Sequence, residues 1–105
     1  MPGTLITIYW RDIPAQVLAR QGRTAHKVVL HPRFQVAIDR AAMRAGKKSA
    51  SDYIGEWRRE QRRCGDDLTA EAEAEARRLE EEFTRDRLAR LIAAGGLEPE
   101  KAAAT

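Results

Sequence analysis

The sequence predicts an α+β fold in which a short antiparallel meander packs on helices. Three observations carry that class: the alternating segment Thr4–Trp10, a hairpin pattern around Gln21-Gly22-Arg23, and helical periodicity from His31 onward. The expected layout is a three-stranded meander over about 4–11, 15–21 and 24–30. Helices follow over about 32–45 and 50–63, and a long charged helix over about 67–94.

In TLITIYW, Ile6, Ile8 and Trp10 fall on one face of a strand and Leu5, Thr7 and Tyr9 on the other. Both faces are apolar, which points to helices on one side and partial cover, by a partner, on the other. Arg11-Asp12-Ile13-Pro14 interrupts the strand, because proline has no N–H to donate and biases the residue before it. Gln16–Arg20 and Ala25–Leu30 then read as a hairpin about Gly22.

From His31 to Arg63 the pattern reads as two amphipathic helices holding most of the core. Phe34, Ile38, Ala41, Ala42 and Ala45 share one face at 100° per residue, and Gly46 ends the first helix. Ser49 and Ser51 are candidate caps for the second, with Tyr53, Ile54, Trp57 and Cys64 on its inner side. Ile38 and Trp57 are thereby expected to face each other across the core.

After Gly65 the composition turns to strong helix formers, opened by Asp66, Asp67 and Thr69. Glu73 to Arg77, Glu81 to Arg85 and Asp86 to Arg90 are spaced as favourable i,i+4 pairs. The apolar stripe of Ala72, Ala76, Leu79 and Phe83 slips before Leu88, Leu91 and Ile92 resume, implying a kink or two docking surfaces. Residues 1–94 are expected to form a single domain, with 1–63 as its body and 66–94 as a helical arm. Gly95 and Gly96 end the arm, and 95–105 is expected to be a disordered tail.

The net charge of +3 conceals an asymmetry: residues 1–63 hold 13 Lys/Arg against 5 Asp/Glu, and residues 64–105 hold 6 against 11. A basic half attracts phosphates or an acidic protein, although the acidic half can fold back and neutralise it. The single cysteine, Cys64, allows no internal disulfide, and no histidine near it completes a metal site. His26 and His31, five residues apart without a nearby carboxylate or thiol, suit ordinary surface or strand-edge placement. Without an apolar run of about 18 residues or a signal-peptide pattern, no membrane association and a cytoplasmic location are expected.

No phosphate-cradling glycine loop, nucleophile elbow or HExxH occurs, so neither catalysis nor a cofactor is expected. The candidate functional residues belong instead to docking surfaces. Tyr9 and Trp10 lie on the first strand, and Arg33, Arg40, Arg44 and Lys47 make a basic stripe within about 60° on the first helix. Leu88, Leu91 and Ile92 form an apolar patch that a small body is expected to leave exposed for a protein partner.

Two resemblances follow. The segments TLITIYWRDIPAQV, RFQVAIDRAAMRAG and YIGEWRR resemble the small bacterial proteins of the virulence-factor domain family, over residues 4 to about 63. That resemblance implies no catalytic motif and transfers no residue role. It suggests an accessory subunit, with a link to folate- and corrinoid-dependent one-carbon methyl transfer. Over residues 25–60 the order of strand, helix ending AAMRAG, and helix opening at Ser51 is similar to ribbon-helix-helix DNA-binding proteins. This would imply a dimeric regulator with Ala25, Lys27 and Val29, or His26 and Val28, turned toward the major groove, a set poor in base-reading side chains.

Overall fold

The computed structural model describes residues 2–47 and 49–98. It is α+β: strands β1 (Gly3–Trp10), β2 (Ile13–Gln21) and β3 (Thr24–Val29) are followed by helices α1 (Pro32–Arg44) and α2 (Ala50–Ile54). Strand β4 (Trp57–Cys64) and helices α3 (Leu68–Glu82) and α4 (Arg85–Ala93) complete it. All strand pairings are antiparallel, in the order β3-β2-β1-β4.

The first three strands form the expected meander, with one difference at the first turn. Pro14 lies inside β2 rather than ending a loop, because a bulge moves the register from Ile8 opposite Gln16 to Tyr9 opposite Pro14. A bulge is where a residue without an N–H can sit in a ladder. The turn is reduced to Arg11 and Asp12, with Arg11 at φ 53°.

Helix α1 matches its periodicity: Pro32 opens it, the His31 side chain accepts from the Arg33 N–H, and Phe34, Ala37, Ile38, Ala41 and Ala42 are buried. Gly46 leaves it at φ 74°.

The segment 50–63 differs most from expectation. Only Ala50–Ile54 is helical, Ile54 is 64% exposed, and Trp57–Cys64 is the fourth strand. Its residues WRREQRRC carry little intrinsic strand preference; the pairing is imposed by β1, whose free backbone edge must be satisfied. Trp10 pairs with Trp57 and Tyr9 with Arg58, whose guanidinium lies 4.4 Å from the Tyr9 ring centre. Trp57 is therefore a half-buried strand residue packed edge-on against Tyr53, not the helical partner of Ile38. This arrangement also removes the ribbon-helix-helix plan. Strand β3 is paired to β2 within the chain, and between α1 and β4 there is only the five-residue α2.

The long helix is two helices. The break falls at Phe83 and Thr84, within the slip of the apolar stripe, and Thr84 caps α4 by accepting from the Arg87 N–H. Because the chain turns there, α4 packs on α1 while α3 crosses β3, β2 and β1. Leu88 and Leu91 are consequently buried and Ile92 half-buried, which corrects the expectation of an exposed patch. Among the described residues the ion pairs along this stretch include Glu75–Arg78, Arg78–Glu82, Glu82–Arg87 and Arg87–Glu98, but not Glu73–Arg77, Glu81–Arg85 or Asp86–Arg90 as expected.

The expected tail begins too early. Gly95 and Gly96 are buried, the Asp12 N–H donates to Gly96 O (2.9 Å), and the Glu98 N–H donates to Asp12 Oδ2 (2.7 Å). The chain after α4 thus closes over the first hairpin turn; residues 99–105 lie outside the described residues.

Candidate interaction surface

The register of the sheet sorts its side chains into two faces. On one, Leu5, Ala19 and His26 align with Arg62, and Thr7, Val17 and Val28 with Glu60. This is the face that α3 covers, and Leu5, Val17 and Ala19 join the core with Leu68, Ala72, Ala76 and Leu79. Two contacts tie the helix to the sheet edges: His26 of β3 lies 4.0 Å from Glu73, and Arg62 of β4 lies 3.8 Å from Glu75.

Helix α3 stops short of β4, leaving a cleft of about 200 Å³ between them. Thr7, Tyr9, Glu60, Arg62, Glu75 and Arg78 line it. Its charged groups engage one another. Glu75, buried, accepts two hydrogen bonds of 2.7 Å from Arg78, and these hold its carboxyl below the usual range despite burial. Burial, with Glu60 nearby, pushes the Tyr9 hydroxyl up.

The opposite face has a different character. Its three transverse rows, read from β3 to β4, are Val29-Gln16-Ile8-Arg59, Lys27-Leu18-Ile6-Gln61 and Ala25-Arg20-Thr4-Arg63. Ile6 is buried (3% exposed), Ile8 and Leu18 are half-buried, Val29 is 65% exposed, and Arg20, Lys27, Arg59 and Arg63 are exposed. The face thus has an aliphatic middle and basic margins, with four cations and no acid. Among the described residues none of these four cations makes an ion pair.

The nine residues expected to dock a partner lie elsewhere. Trp10 is fully buried, its Nε1 donating to Tyr53 O at 2.8 Å, and Leu88 and Leu91 are interior. Tyr9 is half-buried under Arg58. The basic stripe divides: Arg33 donates to Glu80 O (2.7 Å) and Lys47 pairs with Glu56 (3.4 Å), while Arg40 and Arg44 remain exposed. Glu56 is held below the usual carboxylate range, first by its hydrogen bond from Arg11. Cys64 is buried, and burial raises its thiol.

The residues of the open face were visible only as fragments in the sequence. The two apolar faces of TLITIYW signalled a second covered side, and alternation through Gln16, Leu18, Arg20 and Ala25, Lys27, Val29 carries no acid. The contribution of Arg59 and Arg63 required β4, which the helical reading concealed.

Fold and surface together define an open-faced α+β protein: one side of a four-stranded sheet is covered by helices except for the cleft along β4, and the other is aliphatic and basic. The family model described as "Virulence factor" matches residues 8–92, and the chain belongs to that family. The match extends through α3 and most of α4, beyond the segments that carried the resemblance. No curated protein and no solved structure matches the chain. Among the described residues no helix is long and apolar enough to cross a membrane.

Proposed function

We propose that this member of the virulence factor family is a non-catalytic interaction module, a cytoplasmic accessory subunit that docks a protein through the open face of its sheet. The observation that carries this reading is the accessible aliphatic surface of Ile8, Leu18 and Val29 on that face, set among four cations that make no ion pair among the described residues. Exposed apolar area within a polar border is the composition of docking surfaces. In the cleft beside α3, Glu75 and Arg78 are committed to each other, which is in keeping with the non-catalytic part of the reading. Components of one-carbon methyl-transfer systems, suggested by the family resemblance, are the first partners to examine.

The test is quantitative co-purification from the cell of origin, using the wild-type chain and the triple variant R20E/K27E/R59E. The variant must retain the wild-type denaturation midpoint. Discrete proteins that accompany the wild type in stoichiometric yield and are lost from the variant support the reading. Equal recovery by both, or no stoichiometric companion of either, refutes it.

A further inference from the structure

We infer that the occupant of the open face is an acidic amphipathic helix of a partner protein, lying across the sheet as α3 does on the other side. The inference rests on the module reading and specifies its partner. On the covered face, the middle strands meet aliphatic residues of α3, and carboxylates of that helix reach the two edge strands, Glu73 toward His26 on β3 and Glu75 toward Arg62 on β4. The open face repeats this plan. Half-buried Ile8 and Leu18 occupy the middle strands above the buried Ile6, Lys27 stands on β3, and Arg59 and Arg63 stand on β4. At about 4.8 Å per strand the basic margins lie about 14 Å apart, the width of a helix with side chains extending to either side. A helix with a narrow aliphatic seam and Glu or Asp on both flanks complements this surface.

Two other occupants fit less well. A second copy packed face to face would bring four cations against four others, without an acid to separate them. A single-stranded nucleic acid would find cations for its phosphates, but among the twelve side chains of the three rows there is no aromatic ring on which a base could stack. The aliphatic centre favours a protein.

The experiment is amide-resonance titration of the full chain with three probes. One is a designed helical peptide with a leucine seam flanked by glutamates, the second is that peptide with lysines for glutamates, and the third is a short oligothymidylate. The expected result is saturable shifts at Ile6, Ile8, Leu18 and Lys27 with the glutamate peptide, and none with the lysine peptide. The variant K27E/R59E/R63E should bind at least about tenfold more weakly at an unchanged denaturation midpoint. Shifts with oligothymidylate alone would overturn the helix inference in favour of a polyanion surface. Binding of both peptides equally, or of neither, would overturn it too. The co-purification result stands apart from these outcomes, so a module that binds a different kind of partner is distinguished from no module at all.

Discussion

Gly96→Ala is expected to destabilise the protein by about 2–5 kcal/mol, and the structure gives the two parts of that figure. Gly96 has φ 93°, a region in which an L-residue is strained by about 1–2 kcal/mol. An added Cβ would stand 2.8 Å from Trp10 Cζ3 and 3.2 Å from Cε3. The indole cannot retreat easily: it is fully buried, stacked on Tyr53 at 5.7 Å and held by its hydrogen bond to Tyr53 O. Overpacking of this kind costs about 1–3 kcal/mol more. The same displacement loosens the bond from the Asp12 N–H to Gly96 O, which fastens the end of α4 to the first hairpin turn. Gly22→Ala is the control, because Gly22 also has positive φ (59°) but nothing within 4 Å of a new Cβ. It should cost only the backbone part, about 1 kcal/mol. Urea denaturation followed by tryptophan fluorescence and by circular dichroism measures both. A Gly96→Ala cost no larger than that of Gly22→Ala would refute the packing of the chain end against Trp10.

Ile38→Ala, at a fully buried position on α1, should cost about 2–5 kcal/mol by equilibrium denaturation; less than about 0.5 would mean that this face of α1 is not interior. Glu75 titrates below its ordinary range because Arg78 hydrogen-bonds its charged form, so its contribution is present above the unfolded-state pKa and is lost as pH falls through the folded one. Glu75→Gln should therefore lower stability at pH 7, with the gap to the wild type closing as the pH drops below about 4; a gap independent of pH would exclude the Arg78 pairing as its cause. Hydrogen exchange should show protection alternating along Trp57–Cys64, as in an edge strand bonded on one side only, whereas uniform protection of 50–63 would restore a helix there.

What could be read from the chain alone was whatever depends on neighbours in sequence. The alternation of Thr4–Trp10, the turn at Gly22, the seam from Phe34 to Ala42 and the slip after Phe83 all express local periodicity or backbone preference, and the corresponding elements form. The family was legible as well, through the opening strand and the AIDRAAMRAG helix. Tertiary structure decided the rest. Arg, Glu and Gln in WRREQRRC favour helix by themselves, but the unsatisfied edge of β1 lies far away in sequence and offers a full ladder of hydrogen bonds, which outweighs that preference. With β4 in place, Arg59 and Arg63 join Arg20 and Lys27 on one face, a clustering that no sequence window contains. The fate of the second apolar patch was likewise non-local. Leu88 and Leu91 are buried because the break at Thr84 turns α4 onto α1, and the angle of that turn is set by what α1 and Phe83 offer for packing rather than by the residues of α4.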